Sequence, residues 1–173
     1  MNPSSIKAAG DHEQTVKPAE APPLRVALAV ETMAGILRQL GYRAELSTQS
    51  GQPQLHSATQ GLGFLIGFGS PVSGDGGEAW LDCFFHCPLS VRGEVSAGLV
   101  ERWNQRKRHA RLFQQDQYLI LAMDVLIAGG VTDAHLRTRC GLWDRLMRDF
   151  VLHLKQGAPL SVPAAVAVAG QRA

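Results

Sequence analysis

Three observations predict that this 173-residue chain folds as an α+β domain, a five-stranded sheet packed with three helices in the order α-β-β-β-α-β-β-α. Apolar residues recur at intervals of three and four in residues 25–40, 96–107 and 132–156, the spacing that gathers side chains on one helical face. Residues 79–87 instead alternate with a period of two, as a strand does. Between the last two helices, residues 110–126 read as a hairpin.

The first helix is expected over 25–40, where Val26, Val30, Met33, Leu37 and Leu40 share a face and Gly41 supplies the stop. Residues 42–46 alternate weakly and read as a half-buried strand. Ser50-Gly51-Gln52-Pro53 is a turn, after which a short strand over 54–57 continues the chain. Residues 62–68 are apolar but carry glycine at 63 and 67, which suits a central strand approached closely by neighbouring groups. The glycines of 61–77 also raise the idea of a phosphate-binding loop. Their spacing lacks a dinucleotide fingerprint, and no Lys-Ser or Lys-Thr follows Gly74-Asp75-Gly76-Gly77, so hairpin turns are the expected use.

In 79–87, Leu81, Cys83, Phe85 and Cys87 point one way and Trp80, Asp82, Phe84 and His86 the other, with Pro88 expected to end the strand. Both faces carry large groups, so helices are expected on one side and a partner or tail on the other. The second helix is expected from a Ser96 cap to about Lys107, with Leu99, Val100 and Trp103 as its apolar stripe. Strands over 110–113 and 117–126 follow about a Gln115-Asp116 turn, and Gly129-Gly130 breaks the second. Thr132 is the expected cap of a third helix of about 24 residues, or about 36 Å, carrying Leu136, Cys140, Trp143, Met147 and Leu154.

A length of 173 residues suits one domain with a substantial core, expected over 24–156. Residues 1–23 have almost no apolar periodicity and read as a disordered arm. Residues 157–173, interrupted by Pro159 and Pro163, read as an irregular tail. Lys and Arg number 17 against 15 Asp and Glu, a balance that argues against nucleic-acid binding by the whole surface. No apolar run approaches the roughly 20 residues that span a bilayer, and no secretory pattern opens the chain, so a cytoplasmic protein without membrane contact is expected. Three cysteines make a disulfide framework improbable and buried thiols the expected state.

The residues that could carry chemistry are few. Arg102, Arg106, Lys107, Arg108 and Arg111 place five positive charges within ten residues, enough to orient an acidic protein partner or touch phosphate. Nucleic acid fits less well, because no helix-turn-helix pattern accompanies the run. Trp103 is expected to anchor its helix to the sheet, with Asn104 fixing the helix-to-strand corner by a local hydrogen bond. Cys83 and Cys87 suggest a metal ligand pair, but they stand about 13 Å apart along a strand with His86 on the opposite face, so no metal site is expected. Asp82 and His86 share a face near Asp124, yet no nucleophile stands beside them, and Asp124 is better read as the partner of His109 or Arg111. His12, His56, His135 and His153 are scattered.

Residues 103–150 resemble the YbjN family of bacterial sensory transduction regulators. The matching features are Trp103-Asn104, the basic stretch 106–111, Leu121-Ala122-Met123-Asp124, Ala128-Gly129-Gly130-Val131-Thr132 and Leu142-Trp143. The resemblance implies an antiparallel sheet with helices against it, similar to type III secretion chaperones and often dimeric. It carries over no catalytic residue and no cofactor. On it rests the expectation of a non-enzymatic regulatory or chaperone-like domain, a homodimer holding a protein client. A structural subunit that dimerises without a separate client is the first alternative, a small hydrolase-like enzyme with a pocket near Asp82, His86 and Asp124 the second, and nucleic-acid binding through residues 102–111 the third.

Overall fold

The computed structural model describes residues 21–49, 51–74, 77–91 and 95–157. The expected arm and tail therefore fall almost wholly outside the described residues. Helix α1 spans Val30–Gln39, and strands β1 (Glu45–Ser47), β2 (Gln54–Thr59) and β3 (Leu62–Phe68) follow. Then come β4 (Pro71–Gly74), β5 (Gly77–Trp80), β6 (Asp82–Ser90), α2 (Leu99–Arg106), β7 (Arg111–Gln115), β8 (Tyr118–Leu126) and α3 (Asp133–Gly157). Among the described residues three helices and a sheet confirm the α+β class, but the sheet has six strands rather than five, ordered β1-β2-β3-β6-β8-β7 and antiparallel throughout.

The extra strand is β2, expected only as a four-residue continuation. It pairs with β3 along its whole length through a two-residue turn at Gln60 and Gly61, both at positive φ, the backbone that matches the twist of a tight hairpin. Beside it β1 is shorter and later than the expected 42–46, because residues 41–44 are spent turning the chain out of α1.

The strand expected over 79–87 is divided at Leu81. Its first part pairs with β4 as a separate two-stranded ribbon, and its second enters the main sheet. The division is one of neighbours rather than direction. Pairing Leu65↔His86 to Phe68↔Cys83 continues in the same register to Pro71↔Trp80 and Gly74↔Gly77, so β3–β4 and β5–β6 form one long hairpin. The ladder to β2 ends at Gly67 and that to β8 at Asp82, and beyond them the ribbon projects from the sheet. Trp80, packed on Phe68 and bridged to Leu28, ties down its base.

Pro88 does not end β6, which continues to Ser90 opposite Tyr118. The Val91 N–H donates to the Gln117 carbonyl at 2.9 Å, and bonding to β8 alternates from there, so position 88 turns its nitrogen toward the β3 side. The β3 ladder has already stopped at His86, and no hydrogen bond is lost there.

Helix α1 begins five residues later than expected. Arg25 and Leu28 form bridges with Val131 and Trp80, which hold 25–28 extended as a strap across the end of the sheet and leave Val26 66% exposed. Leu40, past the last helical residue, is also exposed. Ser96 does not cap α2: the cap position is Gly98 at φ +76, with no side-chain bond. Thr132 does cap α3, its hydroxyl accepting the His135 N–H at 3.1 Å.

All three helices join the inward face of the sheet in one apolar core. At its centre Trp143 packs against Phe64 and Phe85 with centroids 5.8 and 5.4 Å away. Cys83, Cys87 and Cys140 are buried there as free thiols, and burial pushes each up to about 12, which makes them poor nucleophiles.

Candidate functional site

The alternation of β6 separates two environments. Cys83, Phe85, Cys87 and Leu89 are buried in the core, while Asp82, Phe84, His86, Pro88 and Ser90 stand half-buried on the other face. Strand register lines up that outer face. His56, Leu65, His86, Ala122 and Arg111 form one row, and Gln54, Gly67, Phe84 and Asp124 the next. Leu65, Ile120 and Ala122 are buried yet stand apart from the core cluster to which the helices contribute. At Gly67 an added Cβ would fall inside the Phe84 ring, so this glycine is what lets Phe84 lie flat across β3. Phe84 in turn contacts His86, with ring centroids 4.6 Å apart. Burial and the nearby Arg111 hold the His86 imidazole below its ordinary pKa, with Asp124 opposing them.

At the β7 edge the basic run meets the sheet. Trp103 is buried, and its indole Nε1–H donates to the Ala110 carbonyl at 3.1 Å. Asn104 makes a reciprocal pair with Leu112: its Nδ2 donates to the Leu112 carbonyl at 2.8 Å and its Oδ1 accepts the Leu112 N–H at 2.9 Å. These are outward-facing groups of an edge strand. The side chain of Asn104 therefore takes the place of a further strand at Leu112, and together with Trp103 it covers the edge at Ala110 and Leu112, where another chain could otherwise pair.

The five cations named from sequence do not act as one patch. Lys107 pairs with Asp149 and lies 5.7 Å from the Trp103 ring centroid, and Arg111 pairs with Asp124. Arg102 donates to the Ala97 carbonyl at 3.1 Å. Arg108 and Arg106 have no hydrogen-bond or ion-pair partner among the described residues. Two depressions divide the group. Arg102, Arg106 and Lys107 border one of about 250 Å³ with Asp149 and His153, while Lys107, Arg108 and Arg111 border another of about 510 Å³ at the open end of β8.

Arg139 is the member that sequence reading missed. It lies on α3, 28 residues from Arg111, and reaches round the sheet edge to donate from Nη2 to the Asp124 carbonyl at 3.0 Å. Nothing in the helical spacing marks it apart from the other arginines of α3. Gly129 and Gly130, both at positive φ, and Thr132 turn the chain from β8 into α3 and so set where Arg139 stands.

Residues 29–156, about three quarters of the chain, match the model of the YbjN family, described as "putative bacterial sensory transduction regulator". The chain belongs to the YbjN family. No curated protein matches it. The Trp103-Asn104 pair, the Gly129-Gly130-Thr132 turn and Trp143 lie within the matched span, where they close the sheet edge, redirect the chain and fill the core.

The Asp82–His86 pair expected on one face is there, with Phe84 between the two. Asp82 accepts the Ser70 N–H at 3.0 Å and packs against Gly69, and Asp124 belongs to Arg111. Neither Asp82 nor His86 borders either basic depression. Among the described residues no group of three or more His, Cys, Asp or Glu is placed to hold a metal ion, and no helix is long and apolar enough to cross a membrane.

Proposed function

We propose that this YbjN domain is a non-enzymatic regulatory module that holds another protein, acting in the cytoplasm as a chaperone-like homodimer. The observation that carries the reading is the outer sheet face. The helices contribute to the core on the inner face, while the outer face carries Phe84 and Pro88, both half-buried, beside Leu65 and Ile120, which are buried without belonging to that core. A sheet face of this composition is stabilised by covering it, and a rim of charge at Arg111 and Asp124 would orient what covers it. The family's regulatory description agrees with a binding role. The single domain is taken to be 24–156, with 1–23 and 157–173 as appendages.

The test is light scattering coupled to size-exclusion chromatography, followed by capture from native lysate with wild-type and Phe84→Ser protein. Phe84 lies on the outer face, so its loss leaves the core intact. A dimer that retains one protein at fixed stoichiometry, and loses it on substitution, supports the reading. A monomer, or a retained protein indifferent to position 84, refutes it.

A further inference from the structure

The depression at the open end of β8 has a composition that the regulatory reading does not explain. Three elements supply its cations: Lys107 and Arg108 from the turn after α2, Arg111 from β7 and Arg139 from α3. Against four formal positive charges stands one lining carboxylate, Asp124, which is already held by Arg111. Like charges gathered from distant parts of a chain repel one another unless an anion offsets them.

The donors are also incompletely used. Arg139 Nη2 is committed to the Asp124 carbonyl, but its Nε is buried with no hydrogen-bond partner among the described residues. A buried guanidinium donor without an acceptor is costly. Arg108 is exposed beside it, with no hydrogen-bond or ion-pair partner among the described residues. By contrast the acids nearby position cations: Asp149 holds Lys107 and Asp124 holds Arg111.

We infer that this depression binds a phosphoryl group through Lys107, Arg108, Arg111 and Arg139. Guanidinium forks match the oxygens of a phosphate monoester, and the charge exceeds what a single carboxylate would offset. A nucleic-acid strand fits poorly. Trp103 is buried and Phe113 half-buried beneath Arg111, so neither of these two aromatics beside the run offers a free ring to a base, and Asp124 and Asp149 interrupt the track. The inference deepens the regulatory reading by naming what the basic run receives. The phosphoryl group has two sources, a small phosphate monoester or a phosphorylated side chain of the bound protein.

Nuclear magnetic resonance titration of the full chain with inorganic phosphate, at ionic strength matched with chloride, tests it without any client. Saturable shifts at residues 107–111 and in the Arg139 side chain are expected. Arg108→Ala, which removes a residue with no partner among the described residues, should weaken binding about tenfold, the effect of losing one charge-assisted contact. Arg139→Lys, which keeps the charge and loses the fork, should also weaken it. A phosphoserine peptide binding more tightly than free phosphate and its unphosphorylated counterpart assigns the group to a protein partner, and equal binding to phosphate assigns it to a small molecule. Absence of saturation at millimolar phosphate overturns the inference, as does indifference to both substitutions. Tighter binding of a single-stranded oligonucleotide, with shifts spreading to Arg102 and Arg106, would overturn it in favour of a nucleic-acid track. Failure here leaves the outer-face reading standing, because that reading is tested at Phe84.

Discussion

Replacing Asn104 with alanine should expose the β7 edge and destabilise the domain together. The substitution removes two hydrogen bonds to Leu112, which is itself buried, at 2.8 and 2.9 Å. Two neutral hydrogen bonds contribute about 2 kcal/mol net, and alanine returns about 0.5 kcal/mol through its better helix propensity within α2. Because Asn104 is exposed, water reaches the freed groups in part, so the expected loss is about 1–1.5 kcal/mol, or about 3–6 °C in the thermal midpoint. Urea unfolding should show a lower midpoint with an unchanged slope, since the surface exposed on unfolding is the same. Hydrogen exchange at the Leu112 amide should accelerate beyond the global change, because its acceptor has gone. Concentration-dependent association should increase, as the edge can then accept a strand from a second molecule. A variant within about 0.3 kcal/mol of wild type, with the Leu112 amide still protected, would refute the reasoning, since additivity at independent sites holds to that precision.

Trp103→Phe keeps most of the ring and loses the bond to the Ala110 carbonyl, and urea unfolding should report a loss of about 1–2 kcal/mol. Trp103→Ala should cost about 3–5 kcal/mol by the same assay, through the cavity beside Phe150. His86 has a folded pKa below its ordinary 6.5, so the unfolded chain binds the proton more readily, and stability is fully present above that value and falls as pH drops through the folded pKa. Unfolding free energies measured from pH 8 to 5 should show this decline, and His86→Gln should flatten it. Thr132→Ala should lower stability by about 1 kcal/mol, read by urea unfolding, through loss of the bond to the His135 amide. Gly67→Ala should displace the Phe84 ring, seen as a changed Phe84 ring spectrum, with a loss of about 1–3 kcal/mol.

Local pattern was enough for the elements whose signals are local. The three and four spacing of Leu136, Cys140, Trp143 and Met147 identified α3, and the period-two alternation from Cys83 to Cys87 identified which residues of β6 face the core. The Thr132 cap and the β3 span followed from adjacent residues for the same reason. Pairing decided what those signals could not express. Residues 25–28 have helical spacing but are drawn into extended bridges by Val131 and Trp80, more than 50 positions away. The run of 79–87 is continuous in sequence, yet it divides at Leu81 because β2 and β8 end there. Pro88 stays within a strand because the neighbour that would need its N–H has already stopped. The candidate site divides likewise. The basic run and the Trp103-Asn104 pair were legible as a cluster, whereas the exchange of bonds with Leu112 depends on the folded corner. Sequence alone determined which residues seek burial and which carry charge, since these are properties of side chains. Only the tertiary structure brought Arg139 beside Arg108 and divided the sheet residues between the helix-packed core and an outer face, because proximity between distant segments is set by strand order and the paths of the turns.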